Sequence, residues 1–158
     1  MGREMTDHRV LRTLADERDR IHSFESHNRP LSLDYEYVGL IGEDEFAKEF
    51  GLKMNLELKR RGDKGVDYYV KGYKIDVKTL RDARFLKVEF NKCRADIYVL
   101  YHYIDAVDTA EFIGWEFGDY IEHIEPKDTG RGVINHAIER AFLSDLRSLK
   151  LLLGKERK

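Results

Sequence analysis

Thirteen residues near the middle of the chain constrain the fold most: Val66-Asp67-Tyr68-Tyr69-Val70-Lys71-Gly72-Tyr73-Lys74-Ile75-Asp76-Val77-Lys78. Two extended runs flank Lys71-Gly72. A two-residue turn there, with Gly72 at positive φ, closes a tight hairpin. Its register pairs Val70 with Tyr73 and, further out, Asp67 with Asp76. Side chains alternate along a strand, so the faces can be sorted. Val66, Tyr68, Val70, Tyr73, Ile75 and Val77 make one apolar face, which belongs in a core. Asp67, Tyr69, Lys74, Asp76 and Lys78 make the other. Like charges directly opposite destabilise a sheet, and a divalent cation between them turns repulsion into ligation. The competing reading is an exposed face on which Lys74 and Lys78 offset the acids; a longer turn would also separate the acids. Tyr69 shares that face and could stack on a base; packing is the simpler expectation.

A third carboxylate lies upstream. Gly39 to Phe50 reads as an amphipathic helix capped by Gly51. Leu40, Phe46, Ala47 and Phe50 form its apolar stripe, and Glu43 falls on that stripe, while Glu45 and Glu49 face solvent. An acid on an apolar stripe is costly unless paired or ligating. The alternative is that Glu43 sits at the stripe's edge or serves the helix N-terminus.

The remaining elements suggest a mixed α/β domain. A polar helix is expected over residues 5–25, with a linker over 26–33. This divides the chain into an N-terminal extension, 1–33, and a main domain, 34–158. Strands are expected at 54–60, 66–70, 73–79, 84–90, 96–104 and 110–117, with a short helix or turn at 91–95. Ile134, Ala137, Ile138, Ala141, Phe142, Leu146 and Leu149 suggest a C-terminal amphipathic helix over 133–153.

Composition narrows the class. One cysteine, Cys93, excludes an internal disulfide, which a reducing compartment permits. No apolar run nears the roughly 20 residues of a membrane span, and the N-terminus lacks a signal-peptide core. A soluble, cytoplasmic protein is expected. The net charge is −2, yet residues 53–94 hold 13 Lys and Arg against 6 acids. A basic stripe suits phosphate contacts; a solvated sheet face rich in lysine is the plainer explanation. The six histidines have no metal-ligand spacing. His102, Cys93 and the aromatic run Tyr98, Tyr101, Tyr103 and Trp115 are expected to be structural.

Gly42-Glu43 in a helix, then Gly65-Val66-Asp67, then Ile75-Asp76-Val77-Lys78, resembles the PD-(D/E)xK nuclease superfamily. That group includes restriction endonucleases and archaeal Holliday junction resolvases. The resemblance covers about residues 38 to 104, with the strand at Asp96-Ile97-Tyr98 in the expected place. Val66 replaces the proline of the name, and Asp76 takes the position where glutamate is commoner. The resemblance implies a restriction endonuclease-like core: a mixed β-sheet flanked by helices, ordered αβββαβ, with helical additions at both ends. It implies Mg²⁺, with Mn²⁺ able to substitute, held by Asp67, Asp76 and the Val77 carbonyl, with Glu43 completing the shell. Lys78 would orient or deprotonate the attacking water or stabilise charge on phosphorus. Arg81, Arg84, Lys87 and Lys92 would hold the nucleic-acid backbone. The implied activity is phosphodiester hydrolysis in double-stranded or branched DNA by a structure-selective endonuclease. A homodimer follows by extension from the resolvases, which must cut two strands. An exonuclease, an RNA nuclease, or a non-catalytic nucleic-acid-binding or assembly module are the competing expectations.

Overall fold

The computed structural model describes residues 8–22, 34–54, 56 and 66–154. Their elements run α1 (His8–His22), α2 (Tyr35–Phe50), β1 (Tyr68–Val70), β2 (Tyr73–Leu80), β3 (Phe85–Glu89), β4 (Ile97–Ile104), β5 (Thr109–Phe117), α3 (Gly118–Glu122), β6 (Lys127–Asp128), β7 (Ile134–Glu139) and α4 (Leu146–Leu152). The protein is mixed α/β. A four-stranded sheet has the order β1-β2-β4-β5, and a three-stranded antiparallel sheet the order β3-β7-β6.

The hairpin forms with the expected register, Val70 opposite Tyr73 and Tyr68 opposite Ile75. Lys71 and Gly72 have φ of 54° and 83°, the double positive-φ geometry of a turn whose twist matches the strands. β2 then runs parallel to β4 from Ile75 to Leu80. β4 continues antiparallel into β5 through a short 3-10 turn, Asp105–Val107.

Both faces of the larger sheet are covered. Ile75, Val77, Val99 and Tyr101 pack with Leu40, Ile41 and Phe46 of α2, Leu11 and Leu14 of α1, and Leu149 of α4. Phe46 stacks 4.6 Å from Phe50 and 5.3 Å from Tyr68, contacts worth about 1 kcal/mol each beyond their area. On the other face Tyr98 and Leu100 pack with Leu86, Val88, Ile121 and Ile138 from the smaller sheet and α3. The layers are therefore helices, sheet, sheet. α2 lies between α1 and the sheet, so even Asp44 is buried, paired to Lys48 at 3.0 Å.

Several expectations need correction. α2 begins at Tyr35, four residues before Gly39, although Gly51 ends it as expected with φ 65°. No single helix spans 133–153. Residues 134–139 form β7, Arg140–Phe142 a 3-10 turn, and the helix covers only Leu146–Leu152. The sequence INHAIE fits either period. Pairing with β3 decides it, placing Ile138 opposite Leu86 and His136 opposite Val88. Asp145 caps α4 by accepting from the Ser148 N–H. The segment 91–95 takes the turn of its two expected forms, with the Lys92 N–H bonded to the Glu89 carbonyl at 3.0 Å; the crossover from β2 to β4 carries β3 instead of the second helix of an αβββαβ order. The expected strand 54–60 falls almost wholly outside the described residues, as does the linker 26–33. The aromatic run is buried as expected: Tyr98, Tyr101, Tyr103 and Trp115 are all at or below 5% exposure. The Cys93 thiol meets the Gly118 carbonyl at 3.3 Å and burial pushes its pKa up, so it is a poor nucleophile. No described helix is long and apolar enough to cross a membrane.

A polar clasp joins α1 and α2 to the sheet. Asp108 accepts from the Tyr37 and Tyr103 hydroxyls at 2.7 Å each and lies 3.1 Å from His8 Nδ1. Arg81 bridges Asp34 and Asp105 at 2.7 and 2.8 Å. The bond from Arg81 holds the Asp34 carboxyl below its ordinary pKa of 3.8. Burial pushes Asp108 up, but its three hydrogen-bond partners outweigh that and leave it lowered. For a depressed carboxyl the unfolded chain binds the proton more readily. The stabilisation is therefore complete above about pH 4 and is lost as pH falls through the lower folded values. The melting temperature should drop between about pH 5 and about pH 2, and Asp108→Asn should flatten that slope. An unchanged slope in the variant would remove Asp108 from the clasp.

Candidate active site

β1 and β2 part company after Ile75. β1 pairs only with Tyr73 to Ile75, while β2 continues along β4 to Leu80. The Asp67 N–H still reaches the Ile75 carbonyl at 2.8 Å, and the chain then diverges. Asp67 Oδ2 accepts the Val77 N–H at 2.7 Å, so a carboxylate replaces the missing strand at the fork. A strand residue's N–H and C=O project to the same edge, so the Val77 carbonyl also faces the fork. Asp67 and Asp76 are thus brought together near the opposition expected from the register, although the ladder itself ends at Tyr68.

α2 closes the fork from the side. Gly42 lies so close to β2 that a β-carbon there would overlap the Thr79 hydroxyl. That approach carries the next residue, Glu43, into the site. The Tyr68 hydroxyl donates to the Glu43 carbonyl at 2.9 Å and fixes β1 to the helix. Burial, then the charges of Glu43, Asp67 and Asp44, raise the Tyr68 pKa far above its ordinary value.

The resulting cleft, about 220 Å³, is lined by Glu36, Glu43, Asp67, Asp76, Val77, Lys78 and Thr79, with Tyr35, Gly39 and Leu80. Glu43, Asp67 and Asp76 are 6%, 8% and 9% exposed. Asp76 Oδ2 lies 3.1 Å from Lys78 Nζ. Burial pulls the Lys78 pKa down, but the Asp76 charge and hydrogen bond more than offset this and hold it above the ordinary lysine value. Lys78 is therefore an ammonium group. Four acids share the cleft with this one base, and the donors are hard carboxylate oxygens of the kind Mg²⁺ and Mn²⁺ prefer. Among the described residues no three acidic, His or Cys side chains stand close enough to form a ready-made metal shell. Asp67 is engaged with Val77 and Asp76 with Lys78, so a cation bound here would have to compete with those bonds.

The expected backbone-binding residues are dispersed. Arg81 is spent on the clasp. Arg84 pairs with Asp82 at 2.7 Å and Lys92 with Glu89 at 3.4 Å. Arg84 and Lys87 line a separate groove with Phe85, Ile124 and Lys127. Lys59, Arg60, Arg61 and Lys64 lie outside the described residues. Tyr69 is 67% exposed, contrary to the expectation of packing. His102 lies 3.4 Å from Glu111 in a surface pair. Tyr35 and Glu36 fall outside a helix that begins at Gly39, so the sequence reading does not bring Tyr35, Glu36 and Gly39 to the site. With Asp34 taken as the preceding residue, Glu36, Gly39 and Glu43 fall at i, i+3 and i+7 on one face. Comparison with protein-family models, curated proteins and solved structures found no match.

Proposed function

We propose that this protein is a metal-dependent nuclease that hydrolyses DNA phosphodiester bonds, an endonuclease of the PD-(D/E)xK kind acting on double-stranded or branched DNA. The observation that carries the reading is the meeting of Glu43, Asp67, Asp76 and Lys78, from three separate segments, in one small cleft at a strand fork. Asp67, Asp76 and the Val77 carbonyl would hold Mg²⁺, with Glu43 completing the shell. A divalent cation held there would lower the pKa of water and offset charge on the phosphate. Lys78, 3.1 Å from Asp76, would orient or deprotonate the attacking water or stabilise charge on phosphorus. The water oxygen bonds to phosphorus as the P–O3′ bond breaks, giving a 5′-phosphate and a 3′-hydroxyl that takes up a proton. The resemblance further suggests a homodimer.

The test is incubation of the protein with linear duplex, single-stranded, flap and four-way-junction DNA, with Mg²⁺ or EDTA. Cleavage of at least one substrate, in Mg²⁺ only, is expected. Lys78→Met should slow it at least a hundredfold, equivalent to about 2.7 kcal/mol. A wild type that binds DNA and cuts none of the four would instead favour the non-catalytic module.

A further inference from the structure

The cleft-facing stripe of α2 contains a glycine that packing does not require. Gly42 has a neighbour, Thr79, that forbids a side chain. Among the described residues Gly39, one turn earlier, has none: a β-carbon built there meets nothing of theirs within 4 Å. Glycine inside a helix is destabilising relative to alanine, and no turn or close helix–strand contact compensates here. What the bare position does provide is clearance, because Gly39 lies in the cleft wall between Tyr35 and Glu43. Tyr35, four residues before Gly39 on the same helical face, is 47% exposed. It lines the same cleft as Lys78.

We infer that the strand to be cut enters unpaired, its backbone crossing α2 at the Gly39 notch and one base stacking on the Tyr35 ring. This rests on the nuclease reading and names its substrate class. Two further observations favour a single strand over a continuous duplex. The cleft is small, at about 220 Å³. Among the described residues Arg81 is held by two acids, and Arg84 and Lys87 line a separate groove, so these offer the cleft no row of charges for a duplex backbone. Stacking then contributes a larger share of the affinity, and it needs a base freed from its pair. In branched DNA such a strand is available at the branch point.

The test is binding of a short fluorescein-labelled oligodeoxythymidylate, and of a duplex of equal length, to the full chain with Ca²⁺ as the divalent ion. The single strand should bind more tightly. Tyr35→Ala should weaken it about tenfold, within the range of base–aromatic stacking, and Tyr35→Phe should bind as the wild type does. Gly39→Ala should weaken it several-fold while the melting temperature stays equal or rises, an outcome that a merely structural glycine would not give. Tighter binding of the duplex, no binding, or wild-type binding by Gly39→Ala and Tyr35→Ala would overturn the strand path. A wild type that shows these variant effects yet cuts nothing in Mg²⁺ would overturn the nuclease reading and leave the strand path standing.

Discussion

Asp76→Asn should reduce Mg²⁺-dependent cleavage by about a thousandfold or more while leaving the fold intact. The substitution keeps the shape of the side chain and removes the hard anionic oxygen that would ligate the metal. Charge stabilisation by a bound divalent ion contributes several kcal/mol at the transition state, and each 1.36 kcal/mol is about tenfold in rate. Asp76 is also the partner of Lys78 at 3.1 Å, so the variant frees the ammonium as well. The cleft starts with four acids and one base, and removing one negative charge relieves repulsion among those that stay. Retained circular dichroism with lost cleavage would separate chemistry from folding. Cleavage within tenfold of wild type would remove Asp76 from the site.

Gly42→Ala should affect both stability and cleavage, and Gly42 is the position where the fold sets the site most tightly. A β-carbon there would lie 2.8 Å from the Thr79 β-carbon and 2.9 Å from its γ-methyl, besides overlapping the hydroxyl. Rotating Thr79 clears one of these contacts and not the others, so α2 must move off β2. Overpacking costs about 1–3 kcal/mol, and the gain in helix propensity returns about 1 kcal/mol. A net loss of up to about 2 kcal/mol is expected in denaturant unfolding. Because Glu43 follows Gly42, displacement of the helix should also lower cleavage at least tenfold. Thr79→Ala in the same chain should restore part of both, a coupling that a double-mutant cycle measures. Additive effects would mean that the contact with Thr79 does not set the helix position.

The same residues explain what could and could not be read along the chain. The hairpin was legible because its alternation and its Lys71-Gly72 turn agree on one register. Glu43 was legible as an acid out of place on an apolar stripe. The fork was not, because the alternation of Asp67 to Lys78 carries no sign that β1 stops at Tyr68. The strand over Ile134–Glu139 was hidden because Ile134, Ala137 and Ile138 satisfy a helical period equally well, and β3, about fifty residues earlier, decides between them. The basic stripe misled for a related reason. Arg81 finds its partners at Asp34 and Asp105, 47 and 24 residues away, and counting charges along the chain cannot see such pairs.

The most direct measurement is anomalous diffraction from a crystal soaked in Mn²⁺ at a concentration that supports cleavage. The expected result is a peak in the cleft, with carboxylate oxygens of Asp67 and Asp76 at ligand distance and the Val77 carbonyl turned toward it. An empty cleft under those conditions, or Mn²⁺ bound only elsewhere on the chain, would contradict the assignment of these acids to a catalytic metal.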